Sequence, residues 1–166
     1  LVVANKLGNE VQVLHGEGQR QFGRPRIYPV GSAPVALAQA DLDRDGLDEL
    51  LVANYGDNSL SILYGSATWE YGRISHIPTG KGPIAVASGD LNFDQIPDVA
   101  VANYLSDSVL VFLGSQSGDL NPNRVIAPIP RPRAVRIFPF DDDLRPDIVV
   151  ASKGLAWLFV LLNRSL

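Results

Sequence analysis

The 166 residues predict an all-β protein built by stacking one unit of 49 residues, and three observations carry that reading. The segment DLDRDGLDELLVAN (Asp41–Asn54) returns as DLNFDQIPDVAVAN (Asp90–Asn103) and, weakened, as PFDDDLRPDIVVAS (Pro139–Ser152), while the chain opens on the matching tail LVVAN. The register holds without a gap. Asn5, Asn54, Asn103 and Ser152 stand 49 apart, as do Pro34, Pro83 and Pro132, and Gly16, Gly65, Gly114 and Asn163. Finally, the apolar segments are short, rich in β-branched residues and broken by Gly and Pro, which disfavours helices. Self-similarity at a fixed period marks a fold made by stacking one supersecondary unit. The units are 1–49, 50–98, 99–147 and a partial 148–166, a single repeat region with no room for a linker or second domain.

Within one period, taken from Pro83, four strands follow in order. IAVASGD is apolar at alternate positions, and an acidic turn at Asn92–Pro97 interrupts it. DVAVAN follows, apolar almost throughout. After Tyr104–Ser108 comes VLVFLG, and beyond a Ser/Gly/Asn/Pro loop (Ser115–Asn123) comes RVIAPIP. Strands of about six residues with turns of similar length fill such a unit. LLVAN, VAVAN and IVVAS have no polar face, so their sheets must be covered on both sides. Antiparallel four-stranded sheets stacked around an axis satisfy that demand, which is a β-propeller with one repeat per blade. A β-solenoid is the alternative, but its coils are shorter and lack four antiparallel strands.

The reading gives 14 strands in groups of three, four, four and three, starting at a second strand and stopping after a third. Propellers close with about four blades or more. The expectation is therefore an incomplete portion of a larger propeller. The alternatives are closure with partner strands, or an open arc exposing apolar end faces.

Composition narrows the function classes. A net charge of −4, from 14 basic and 18 acidic residues, argues against nucleic-acid binding and an anionic-membrane footprint. Arg124, Arg131, Arg133 and Arg136 cluster locally and read as a solvated blade edge. With no Cys, neither disulfides nor thiolate metal sites can form. The longest apolar run, Leu155–Leu162, is too short for membrane insertion, which takes about 20 residues. The absence of Met suggests a mature or excised portion.

The acidic loop carries chemistry. In Asp41-Leu42-Asp43-Arg44-Asp45-Gly46-Leu47-Asp48-Glu49, side-chain oxygens fall at positions 1, 3, 5 and 9, the Leu47 carbonyl can serve position 7, and Gly46 sits at the sharp turn. Calcium takes six to eight hard oxygen ligands at about 2.3–2.6 Å, whereas magnesium prefers octahedral geometry with retained waters. An EF-hand is excluded, because Val52 stands at position 12 and the flanks are strands. The second loop offers Asp90, Asn92, Asp94, the Ile96 carbonyl and Asp98, with Gln95 in place of the turn glycine. The third has Pro139 at position 1 and keeps only Asp141, Asp143 and Asp147, so it is the doubtful member. The plain alternative is a solvated acidic turn; two loops in register favour one or two structural Ca2+ sites.

A family resemblance emerges from the same stretches. Phe22-Gly23 followed by Gly31-Ser32-Ala33-Pro34 and the acidic loop resembles the FG-GAP/VCBS repeat, the blade type of integrin α-subunit propellers and many bacterial surface proteins. Tyr71-Gly72 with Gly80-Lys81-Gly82-Pro83 repeats the pattern, and Leu120-Asn121 with Pro130-Arg131-Pro132 departs from it. The resemblance implies a propeller of usually seven blades, with calcium between the first and second strands of a blade.

The remaining candidates carry less. His15 and His76 occupy different places in their repeats, away from any recurring Ser or Asp, and read as packed or surface residues. No nucleophile-elbow, phosphate-loop or zinc-protease pattern exists, so no enzyme is expected; a propeller-supported hydrolase or lyase lacks an acid–base pair outside the metal loops. Tyr55 and Tyr104 recur beside Asn54, Asn103, Asp57 and Asp107, on the face opposite the acidic loops. They could form a glycan surface, but a turn-forming Asn and an inter-blade Tyr is the favoured reading. Trp69 and Tyr71 fall on the acidic-loop face, and Asn163-Arg164-Ser165 fits a glycosylation triplet. The expected function is a calcium-binding extracytoplasmic propeller, at the cell surface, outside the cell or in the periplasm, for adhesion, assembly or scaffolding. Its partner would be a protein or further blades, from missing sequence of its own, a second copy or a partner subunit. The alternative is a lectin-like, glycan-binding propeller.

Overall fold

The computed structural model describes residues 1–68, 70–126 and 128–164, without the side chains of 122–126. Trp69, the Arg124 side chain and Ser165 therefore lie outside the described residues. Every element is a strand. The first sheet comprises β1 (Val2–Asn5), β2 (Glu10–Val13) and β5 (Arg26–Pro29), with a small hairpin of β3 (Gly16–Gly18) and β4 (Gln21–Phe22) inserted before its last strand. The second is β6 (Pro34–Ala40), β7 (Glu49–Asn54), β8 (Ser59–Tyr64) and β9 (Arg73–Pro78). The third is β10 (Pro83–Gly89), β11 (Asp98–Asn103), β12 (Ser108–Leu113) and β13 (Asn121–Ile126). The fourth is β14 (Pro132–Pro139), β15 (Pro146–Ser152) and β16 (Trp157–Leu161).

Each sheet is an antiparallel meander in sequence order, and the groups of three, four, four and three strands match the sequence pattern. The β3–β4 hairpin is the addition. It forms where the third sheet's repeat has a loop, its tip turned by the positive φ angles of Gly18, Gln19 and Arg20. The pairings repeat too. Pro34 faces Asn54, Pro83 faces Asn103 and Pro132 faces Ser152, each with a register shift just after the proline. A proline has no N–H for a ladder, so it is placed at the strand's first residue and followed by a bulge.

The core consists of three apolar layers, one between each pair of neighbouring sheets. Val11 and Val13 meet Leu50, Val52 and Leu63 in the first layer. Leu51, Ala53 and Ile62 meet Val99, Val101 and Phe112 in the second, and Ala100 and Ala102 meet Ile148 and Val150 in the third. Strands β7 and β11 are buried along their whole length because alternate residues serve two layers. That is why their sequences have no polar face. These are stacked blades of a β-propeller.

A backbone device ties each sheet to the next. The second-to-third-strand turn carries Asn9, Asn58 or Asp107, all at positive φ. Their side-chain oxygens accept hydrogen bonds from the N–H groups of Ala33 (2.9 Å), Gly82 (2.8 Å) and Arg131 (2.7 Å), just ahead of the following sheet's first strand.

Candidate metal centre

The loop joining β6 to β7 is wound around its own first side chain. Asp41 accepts the N–H groups of Asp45 (3.1 Å, Oδ1) and Gly46 (3.0 Å, Oδ2), and Asp43 Oδ1 also accepts that of Asp45 at 3.2 Å. Asp45 Oδ1 accepts the Leu47 N–H at 2.8 Å. Such a coil needs left-handed backbone, supplied at Arg44 (φ 61°) and Gly46 (φ 86°).

The loop joining β10 to β11 repeats the pattern bond for bond. Asp90 accepts from Asp94 (3.2 Å) and Gln95 (2.9 Å), Asn92 from Asp94 (3.1 Å), and Asp94 from Ile96 (2.8 Å). Phe93 and Gln95 take the positive φ angles, 62° and 67°. Gln95 thus adopts the glycine conformation that its position demands, at a cost of about 1 kcal/mol.

Position 9 has a second task that the sequence reading did not anticipate. Glu49 is buried; its Oε2 accepts the Leu42 N–H at 2.7 Å and its Oε1 the Gly65 N–H at 3.3 Å. Asp98 does the same with Leu91 (2.8 Å) and Gly114 (2.9 Å), and Asp147 with Phe140 (2.9 Å) and Asn163 (2.7 Å). Each carboxylate clamps its loop to the residue that leaves the third strand. Burial pushes the Glu49 and Asp98 carboxyls above the ordinary range, against the lowering effect of their backbone donors.

Asp41, Asp43 and Glu49 bring one carboxylate oxygen each to within 4.8 Å of one another, the sole such trio among the described residues. All donors of the trio are carboxylate oxygens, with no His or thiolate among them, which fits calcium better than a softer metal. The third loop departs from this arrangement. Pro139 offers no side-chain acceptor at position 1, although the two inner bonds persist, Asp141 accepting from the Asp143 N–H (3.1 Å) and Asp143 from the Arg145 N–H (2.9 Å). The Arg145 guanidinium lies 3.9 Å from Asp143, placing a positive charge beside that carboxylate. The loops also touch in series: Arg44 reaches Gln95 at 3.5 Å, and Arg145 lies over the Phe93 ring at 5.9 Å.

On the opposite face the structure agrees with the favoured reading of a turn-forming Asn and an inter-blade Tyr. Asn54 and Asn103 are inaccessible to solvent. Asn54 Nδ2 donates to Ser59 Oγ (2.9 Å) and Ser61 Oγ (2.8 Å), while Ser59 Oγ donates to Asp57 (2.7 Å). Tyr55 and Tyr104 sit at sheet junctions under Lys6 (5.9 Å) and Arg133 (5.4 Å). His76 lies beside a serine that does not recur, Ser61. That pairing was hidden because Ser61 is unrepeated; its counterparts are Gln12 and Leu110. The Asn163 amide donates to the Leu91 (2.6 Å) and Pro146 (3.2 Å) carbonyls, so a glycan there would displace both bonds. Tyr71 stacks edge-on against Tyr28 with centroids 5.3 Å apart.

The first loop, the second loop and the strands between them match one family model. Residues 41–101 match the model of the FG-GAP-like repeat. The FG-GAP-like resemblance of the acidic loops and their strands therefore holds over that stretch. Among solved structures, the chain is similar to the crystal structure of BBS1N in complex with ARL6DN, soaked with lead. The TM-score is 0.58 at 19% identity, covering 80% of this chain and 41% of that one. A likeness at that identity speaks for the shared fold. No curated protein matches the chain.

Proposed function

We propose that this chain is a calcium-stabilised, extracytoplasmic β-propeller module that works by binding protein, in adhesion, assembly or scaffolding. The observation that carries it is the Asp41–Asp43–Glu49 trio at the tip of the β6–β7 hairpin, with the same loop wound again 49 residues later. Asp41, Asp43, Asp45 and Glu49 would hold one ion with the Leu47 carbonyl. Asp90, Asn92, Asp94 and Asp98 would hold another with the Ile96 carbonyl. The ion supplies positive charge where carboxylates crowd, turning repulsion into a staple across the hairpin. No catalytic step is assigned. The protein-binding part draws support from the fold relative BBS1N, which was crystallised in complex with ARL6DN.

Calorimetric titration of chelator-treated protein with calcium tests the metal part, and affinity capture with identified partners tests the interaction part. One or two sites of oxygen-donor type are expected. Absence of binding heat and of any melting shift with calcium overturns the metal reading. A second reading, glycan binding, rests on a cleft of about 460 Å³ between the first two sheets, where His15, Gln39, Asp48, Glu70 and Tyr71 converge. An array of glycans in which Tyr71→Ala loses the hits of the native chain would favour it.

A further inference from the structure

The second-to-third-strand turns and the segments leading into each new sheet form one face, opposite the acidic loops, and its charge is of the other sign. The chain's lysines, Lys6, Lys81 and Lys153, all lie there, and all are exposed. Arg131 and Arg133 join them, exposed where β14 begins. Among the described residues none of these cations is in an ion pair. The carboxylates at this end are already engaged. Glu10 accepts from Asn5 (3.0 Å) and Gln12 (2.8 Å), Asp57 from the Ser32 N–H (2.8 Å) and Ser59 (2.7 Å), and Asp107 from the Arg131 N–H (2.7 Å).

Backbone bonds draw the free cations into one row across the junctions. The Leu105 N–H donates to the Lys81 carbonyl and the Lys153 N–H to that of Arg131, each at 3.0 Å. Gly82 lies buried between Leu105 and Tyr55. A Cβ there would fall 2.7 Å from Leu105 Cγ and 3.1 Å from Tyr55 Cε2, so its absence lets both side chains lie over the linker. Leu105 is 56% exposed. With Lys6 over Tyr55 and Arg133 over Tyr104, the row has an apolar floor and a cationic rim. The floor belongs to the second and third sheets, each of which has a neighbour on both sides.

We propose that this face binds an extended acidic segment of a partner protein. Its carboxylates would meet Lys81, Arg131 and Arg133, and its apolar side chains would rest on Leu105 and the two tyrosines. The proposal rests on the interaction-module reading for the class of partner, and adds the place and the charge. Complementary charge steers encounter and rejects wrong partners, while aromatic and Arg side chains are favoured at interface centres. Nucleic acid is the poorer fit. The chain's net charge of −4 repels a long polyanion, and an exposed leucine offers nothing to phosphates.

Fluorescence anisotropy tests this with a labelled glutamate-rich peptide carrying interspersed leucines, beside its lysine-for-glutamate counterpart. The acidic peptide should bind and the basic one should not, with affinity falling as salt rises. Lys81→Glu and Arg131→Glu should each weaken binding about fivefold, the weight of one exposed charge pair. Leu105→Ser should weaken it at high salt as well as low. Arg20→Glu makes the same charge change at the tip of the β3–β4 hairpin and should leave binding intact. Circular dichroism of each variant confirms folding. No binding of the acidic peptide by the folded chain overturns the proposal, as does an equal loss with Arg20→Glu. Tighter binding of an oligothymidylate than of the peptide also overturns it, in favour of nucleic acid. A partner protein captured equally by the native chain and by the Lys81→Glu, Arg131→Glu double variant would refute this face and leave the interaction-module reading standing.

Discussion

The Ser61 hydroxyl lies 2.9 Å from Nδ1 of His76, across the third and fourth strands of the second sheet. Ser61 is wholly buried and also accepts from Asn54 Nδ2 (2.8 Å) and the Gly31 N–H (3.2 Å). One hydroxyl therefore satisfies three neighbours. Replacing it should remove the acceptor of the Gly31 N–H and one of the two acceptors of Asn54 Nδ2, at about 1–3 kcal/mol for each buried N–H left unpaired. Ser61→Ala is expected to lower the melting temperature clearly more than His76→Ala, whose ring is exposed at the surface. Equal effects would show that the network does not act through Ser61.

The turn-to-strand bonds between sheets predict a graded series. Asn58→Gly keeps the left-handed turn but removes the acceptor for Gly82, a loss of about 1 kcal/mol. Asn58→Ala should lose about 1 kcal/mol more, since alanine resists φ of 58°. Urea denaturation of both variants would measure the step. If the two variants are equally stable, the backbone component is absent.

For the acidic loops, calcium should raise the melting temperature and a chelator should lower it. Binding only the native state stabilises by about 2.7 kcal/mol at one hundred times Kd. Asp45→Ala should abolish most of the gain due to the first loop. Asp143→Ala should change little, because Arg145 already stands beside that carboxylate and Pro139 replaces the first ligand. A large calcium effect lost with Asp143→Ala would reverse this ranking.

The pH dependence in chelator follows from the buried position-9 carboxyls. Burial favours the neutral acid, so native Glu49 and Asp98 hold their protons to higher pH than in the unfolded chain. Their contribution is complete below the ordinary carboxylate range and is lost as pH rises through the raised native values. The wild type should therefore lose stability relative to Glu49→Gln as pH climbs through the acidic range. Calcium, by binding the ionised form, should oppose the loss. A stability difference that stays constant with pH would contradict the assignment.

Much of the fold was legible because the repeat is a spatial rule as well as a sequence one. LLVAN and VAVAN lack a polar face because each serves two apolar layers, and the acidic spacing reflects loops wound alike. What departs from the repeat was not legible. The β3–β4 hairpin arises from residues 16–22, whose counterparts 114–120 in the third sheet's repeat are a loop. Ser61 paired with His76 escaped notice because neither recurs. The structural duty of Glu49 was masked by its credentials as a ligand: alternate spacing says that an oxygen is available, not that two backbone N–H groups already claim it. Trp69 and Ser165 fall outside the described residues.

Because each apolar layer joins only adjacent sheets, the cohesion of this molecule behaves like a row of coupled units, not a single droplet. A defect at the junction of the second and third sheets, where Leu51 and Val52 face opposite layers, should therefore split one cooperative transition into two.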